Sequence, residues 1–307
     1  MFSQVDIYLP QVIVVNDCSW DETGEYLDEV KKDYPHLKVV TIKEQDRYRH
    51  GKKFALTLGI KAAKNEILVM TDADCLPSGK NWISYVQSGY DEGTEIILGY
   101  GAHMKEKGLL NRLIRFDTFQ VAMQYFSFAL SGVPYMGVGR NISYRKSTFF
   151  RTKGFANHYH IFSGDDDLFV NENATAANTT IETAPDSFTY SDAKKTFAEW
   201  FNQKSRHGTT ATYYKSKHKA LLTLLSLSDF IFFLLLITLL VIRYNWQILL
   251  TVYISKLLVQ WAINYMAANK LKEQSLMWFY PLHEICYTAL QPVFFISSLF
   301  TKQRTWK

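Results

Sequence analysis

Two carboxylates, Asp72 and Asp74, stand one residue apart immediately after the apolar run Ile67-Leu-Val-Met70. Carboxylates set that close at the end of a buried strand are costly to desolvate unless a positive charge sits between or beside them. A divalent cation that prefers hard oxygen ligands, Mg2+ or Mn2+, meets that need and would neutralise a departing nucleoside diphosphate. The plainer reading is an acidic loop that caps the following helix. Farther along, Gly164-Asp165-Asp166-Asp167 brings three carboxylates together. Their repulsion is expected to raise at least one pKa toward the range of a general base. Equally, one Asp simply N-caps a helix starting near Leu168.

Three further groupings have weaker meaning taken singly. Asn16-Asp17 ends the apolar run Gln11-Val-Ile-Val-Val15. Arg49-His50-Gly51-Lys52-Lys53 precedes a helical pattern, where backbone N–H groups and lysines would hold an anion or else form a solvated turn. In Gln203-Lys-Ser-Arg206-His207 an amide and a guanidinium three residues apart share one helix face and could clamp a phosphate.

The elements that must position these groups alternate. Gln11 to Val15 reads as a strand buried on both faces. Ser19 and Glu22 have the spacing of a capping box for a helix with Tyr26, Leu27 and Val30 on its apolar side, ended by Tyr34-Pro35. Leu37 to Ile42 is the next strand, Gly51 to Lys64 a helix facing inward through Phe54, Ala55, Leu58 and Ala62, and Ile67 to Met70 a third strand. This order predicts a mostly parallel α/β sheet with right-handed crossovers, which binds ligands at the carboxyl ends of its strands. Asp17, Asp72 and Asp74 all fall at such ends. A strand over Ile96 to Tyr100, a long helix over Asn111 to Leu130, a loop entering a strand at Gly137 to Tyr144 and an amphipathic stretch from Lys194 to Phe201 follow.

Beyond about Lys219 the composition changes. Ala220 to Ile242 carries one charge, Asp229, and Trp246 to Ala268 one, Lys256; each is long enough to cross a bilayer core of about 30 Å. Leu276 to Phe300 is interrupted by Pro281, His283, Glu284 and Pro292 and reads as kinked, re-entrant or interfacial. The mean hydropathy of -0.11 over 307 residues thus blends two regimes. A net charge of +5 without dense Lys/Arg runs argues against nucleic acid. Basic clusters at Arg47 to Lys53 and Lys204 to Lys219 suit a diphosphate or a lipid surface, or are solvated faces. Cys18, Cys75 and Cys286 are far apart, which fits reduced thiols. The glycosylation-type tripeptides at Asn141, Asn173 and Asn178 are discounted, and Met1 to Pro10 has no signal-peptide pattern.

In this order, the Asn16-Asp17 strand end, the Gly-Lys helix start, Asp72-Ala-Asp74, the Gly-Asp-Asp triplet, Gln203-x-x-Arg206 and the terminal apolar helices resemble the inverting family 2 glycosyltransferases. The membrane-attached members, among them cellulose, chitin and hyaluronan synthases, are most similar. The resemblance covers about residues 11 to 207 and implies a GT-A (Rossmann-like) fold. It implies that Asp17 contacts the nucleoside base, that Lys52 belongs to the donor site, and that Asp72 and Asp74 hold the sugar nucleotide and metal. Asp166 would deprotonate the acceptor hydroxyl with Asp165 beside it, Asp167 being the weaker choice, while Gln203 and Arg206 close over the diphosphate. His207 stands where the family has tryptophan, and no counterpart of the family's first strand and helix precedes Gln11.

The organisation expected is a GT-A domain over 1–210, incomplete at its N-terminus, a basic interfacial linker over 211–219, membrane-associated helices over 220–300 and a basic tail over 301–307. The expected partners are a nucleotide-sugar donor, a lipid-linked or glycan acceptor and membrane lipids, with the catalytic domain on the cytoplasmic face of a multi-pass inner-membrane protein. A catalytically inactive scaffold of the same fold is the main rival. A nucleotidyltransferase would need a Gly-rich phosphate loop after its first strand, and none is visible.

Overall fold

The computed structural model describes residues 10–43 and 51–301. Met1 to Tyr8, the basic residues Arg47, Arg49 and His50, and the tail cations Lys302, Arg304 and Lys307 lie outside the described residues.

The chain opens with β1 (Val12–Asp17), α1 (Thr23–Asp33), β2 (Leu37–Ile42), α2 (Lys52–Ala62) and β3 (Ile67–Met70). β1 and β2 pair in parallel, from Val12 against Leu37 to Asp17 against Ile42. α2 packs on β1 so closely that a Cβ at Gly59 would stand 3.0 Å from Val15 Cγ2. Of the face expected from periodicity only Ala55 is fully buried; Lys53 and Ile60 point inward with it, Lys53 being drawn in by hydrogen bonds of its own. The capping box expected at Ser19 and Glu22 does not form; α1 starts at Thr23 without a side-chain cap. The chain first has to turn sharply after β1. Cys18 takes φ 54° and Asn16 Oδ1 accepts the Ser19 N–H at 3.2 Å, which uses up the residues that would have begun a helix.

Next come β4 (Leu76–Pro77), α3 (Trp82–Ser88), β5 (Ile96–Leu98), β6 (Gly101–His103), α4 (Leu109–Leu130), β7 (Ile142–Arg145), α5 (Lys146–Arg151), α6 (Asp167–Asn173), β8 (Thr179–Ile181) and β9 (Thr189–Ser191). The α/β class holds, but these sheets are mixed: one runs β3-β7-β5-β8 and another β4-β9-β6. β7 is antiparallel to both β3 and β5, whereas β5–β8 and β6–β9 are parallel. The strand expected over Ile96 to Tyr100 therefore splits at Gly99, where the chain passes from one sheet to the other. A Cβ at Gly99 would lie 2.6 Å from the Asn141 side chain, which fills the gap. Buried Asn141 donates to the carbonyls of Tyr100 and Ser187 and accepts from Trp82 Nε1, so it is a structural brace. α4 covers the sheets with Phe116, Phe119 and Tyr125, and the Tyr125 hydroxyl donates to Gly99 O at 2.8 Å. Each such ring contributes about 1.5–3 kcal/mol by leaving water.

The last four helices are α7 (Phe197–Gly208), α8 (Ser216–Val241), α9 (Trp246–Lys270) and α10 (Tyr280–Phe300). α7 is started by a reciprocal capping box between Thr196 and Glu199. α8 and α9 are long and apolar enough to cross a membrane, with their apolar side chains largely exposed. α10 contains Pro292 and lies against α7 and α4, with Phe294 against the rings of Trp200 and Phe201. Ser205 and Ser297 hydrogen-bond at 2.8 Å, and Gly208 lets the two helices touch where a Cβ would stand 2.8 Å from Ser298.

Candidate active site

The loop after β3 and the loop into β7 converge with the start of α2 and of α6. At the end of β1, Asp17 Oδ1 is buried with no hydrogen-bond partner among the described residues. A buried acceptor in that state costs about 1–3 kcal/mol unless a ligand donor reaches it.

Lys52 is the hub. Its Nζ lies 2.9 Å from Asp72 Oδ1 and 3.0 Å from Asp165 Oδ2, joining the two acidic motifs. Burial works against the ammonium, but Asp165, Asp72 and Asp166 outweigh it and hold the lysine charged well above its usual range. The two lysines expected to hold an anion, or else to stand in a solvated turn, both have partners within the protein. Lys52 neutralises carboxylates, and Lys53 turns into the protein to donate to the carbonyls of His158 and Ile161 at 2.7 and 2.9 Å. Burial lowers Lys53 to about 8 against the pull of the neighbouring aspartates.

The acidic triplet points three ways. Gly164 has φ +87°, and a Cβ there would strike Leu168 at 2.5 Å, so the turn into α6 requires glycine. Asp165 is buried against Lys52. Asp166, the one member that solvent reaches, N-caps α6 by accepting the Asp167 N–H at 2.8 Å and accepts the Gly139 N–H at 2.6 Å. Asp167 turns away, where Thr210 and Tyr214 donate to its Oδ2. The two readings of the triplet, cap and carboxylate cluster, thus both describe Asp166. The raised carboxyls are the other two: burial, then Asp166, push Asp167 up to about 7, and burial raises Asp165 against the opposing pull of Lys52. Asp167 faces hydroxyls in the interior, so its shift marks burial and not a base.

Asp72, Asp74 and Cys75 bring ligand atoms within 4.8 Å of one another. The two carboxylates fit Mg2+ or Mn2+. Cys75 does not: burial and the neighbouring aspartates push its thiol up to about 11, so it keeps its proton, 3.7 Å from Asp74 Oδ1. Gln203 and Arg206 lie on α7 one turn apart, as their spacing requires. His207 is exposed on the same helix.

Two contributors escaped the sequence reading. Gly139 approaches so closely that a Cβ would lie 3.2 Å from Asp166 Oδ2 and 3.4 Å from Lys52 Nζ. Arg140 follows it, with its carbonyl fixed by the hydroxyls of Thr71 and Thr189 at 2.9 Å each. The signal was present in Gly137-Val-Gly-Arg140, a glycine-rich approach to a strand, which often marks a close backbone contact.

The model of Glycosyl transferase family 2 matches residues 2–156. This chain belongs to that family. Among curated proteins, the probable glycosyltransferase YdaM of Bacillus subtilis (strain 168) is 25% identical over 218 residues, which is 66% of this family 2 chain. The chain spans about half, 49%, of that relative's length. Among solved structures, the mannosyltransferase PcManGT from Pyrobaculum calidifontis in complex with GDP-Man and Mn2+ superposes with a TM-score of 0.52 at 17% identity. That likeness covers 93% of this chain and 79% of that one and establishes a fold of the GT-A type.

Proposed function

We propose that this family 2 chain is an inverting, metal-dependent glycosyltransferase that moves a sugar from a nucleotide-sugar donor to a lipid-linked or polysaccharide acceptor at the cytoplasmic face of a membrane. The observation that carries the reading is Lys52 holding Asp72 of the donor side and Asp165 of the acceptor side on one ammonium, with Asp166 next in line and open to solvent.

In this reading Asp17 accepts from the nucleoside base, which supplies the donor that its buried oxygen lacks. Asp72 and Asp74 would hold the divalent cation, which when bound neutralises the negative charge of the leaving diphosphate. Gln203 and Arg206 cover the diphosphate from α7. Asp166, its orientation fixed by the N–H groups of Gly139 and Asp167, accepts the proton of the acceptor hydroxyl as that oxygen attacks the anomeric carbon from the side opposite the diphosphate. The configuration inverts in that single displacement. α8 and α9 anchor the site to lipid, and α10 packs beneath α7.

Membranes carrying the chain, screened against a panel of nucleotide sugars, should transfer or hydrolyse one donor. Asp166→Asn should lower turnover by roughly 10²–10⁴-fold, the usual contribution of a general base, with donor affinity within a few-fold of wild type. Turnover within threefold of wild type would refute the role of Asp166. A wild-type chain that binds a donor and never turns it over would favour the inactive scaffold.

A further inference from the structure

Arg140 is a cation at the site that the proposed reaction leaves without a task. Lys52 is matched by Asp72 and Asp165, Lys204 by Asp117 at 2.9 Å and Arg115 by Glu273. Arg140, half-buried, has no carboxylate within ion-pair distance among the described residues.

Its surroundings are neutral. Nη1 donates to Ala102 O and Ser191 Oγ, each at 3.1 Å, and lies 3.2 Å from His103 Nε2. Burial, then Arg140 itself, push His103 down to about 3, so the ring adds no second charge. The other edge of the guanidinium, Nε and Nη2, makes no hydrogen bond to a described residue, although a guanidinium offers five N–H donors. The position is rigid, since Thr71 and Thr189 hold the Arg140 carbonyl and the preceding residue, Gly139, holds Asp166.

A half-buried guanidinium without a counter-charge is costly, and a ligand oxyanion offsets that cost because the planar fork matches phosphate and carboxylate. We infer that Arg140, steadied by Ser191 and neutral His103, forms an anion subsite for a phosphate or carboxylate carried by the acceptor. This rests on the reading above, in which the donor diphosphate is already served by the cation at Asp72 and Asp74 and by Arg206. The acceptor anion would sit beside Asp166, one residue removed through Gly139.

The test titrates the full chain in detergent, with Mg2+, with inorganic phosphate in the presence and absence of saturating nucleoside diphosphate. Phosphate is expected to bind the diphosphate-saturated protein. Arg140→Met should weaken that binding about tenfold or more and leave nucleoside diphosphate affinity within twofold, while Ser191→Ala changes phosphate affinity by less than threefold. Phosphate that only competes with the nucleotide would assign Arg140 to the donor and overturn the proposal. So would Arg140→Met binding phosphate as wild type does, or Ser191→Ala reproducing its loss, which would mean a structural brace. If Arg140→Met does not fold, Arg140→Lys replaces it. Loss of the fork should then cost about threefold to tenfold in phosphate affinity, and no loss overturns the subsite. A wild-type chain that fails to bind any nucleoside diphosphate would sink the glycosyl-transfer reading. The phosphate titration without nucleotide still decides whether Arg140 binds an anion.

Discussion

Lys52 and Asp165 meet at 3.0 Å, and the same ammonium holds Asp72. Lys52→Met would leave a buried carboxylate without its counter-charge, a change that costs roughly 3–5 kcal/mol for a buried pair. We predict a clear loss of thermal stability and of turnover, both partly restored by adding Asp165→Asn. A lysine that merely gripped the donor phosphates would instead raise donor KM, leave stability unchanged, and show no rescue in the double variant. Thermal unfolding and steady-state kinetics of the three variants separate the two.

The donor set at Asp72, Asp74 and Cys75 makes a second expectation. Two hard carboxylates and a thiol that keeps its proton predict dependence on Mg2+ or Mn2+. Asp74→Ala should abolish metal-dependent donor binding, and a chelator should do the same to wild type. Cys75→Ser should bind donor within about twofold, because a neutral thiol contributes little as a ligand. A large loss in the serine variant, measured by equilibrium donor titration, would make the sulfur a ligand after all.

Much of this site was legible because its parts lie at strand ends, and strand ends follow from local apolar runs. β1, β2 and β3 begin or end within a residue of where the sequence put them, and α7 carries Gln203 and Arg206 on one face. What stayed hidden depends on contacts between distant segments. No spacing shows that β7 runs antiparallel to β3, and that reversal is what brings Gly139 to Asp166. The triplet shows the same limit. Repulsion among three carboxylates is legible, but which one is buried depends on Lys52, Thr210 and Tyr214, and that decided where the shifts fell.

Asp167 gives a prediction about pH. Its folded-state pKa of about 7 exceeds the ordinary carboxyl value of 3.8. Between these values the unfolded chain has lost the proton and the folded chain retains it, so stability should fall as pH rises from about 4 to about 7 and then level off. Asp167→Asn can still accept from Leu168 N–H and donate to the hydroxyls of Thr210 and Tyr214, with no charge to bury. Relative to wild type it should therefore gain stability steadily across that interval. Melting temperatures of the two proteins at pH 5 and pH 8 test this, and a constant difference would mean that Asp167 ionises in the folded protein as it does in the unfolded chain.

The last prediction concerns which side of the membrane the C-terminal helices reach. α8 leaves the catalytic part at His218, whose Nδ1 lies 3.0 Å from Asn171 Nδ2 of α6. α9 comes back to it: Asn264 Oδ1 accepts from Gln120 of α4 at 2.7 Å, and Leu271 is buried in the same core. If α8 and α9 cross, they go out and return. α10 then lies along α7 and α4 through Phe294, Ser297 and Ser298, contacts that a full crossing would pull apart. The turn at Arg243 to Asn245 should therefore be on the outer face and Thr301 on the catalytic face. With the three native cysteines removed, a cysteine at Tyr244 should react with an impermeant thiol reagent added to intact cells, and one at Thr301 only after the membrane is opened. Labelling of the Thr301 cysteine in intact cells would show that α10 crosses, and the contacts between α7 and α10 would then have to break in the bilayer.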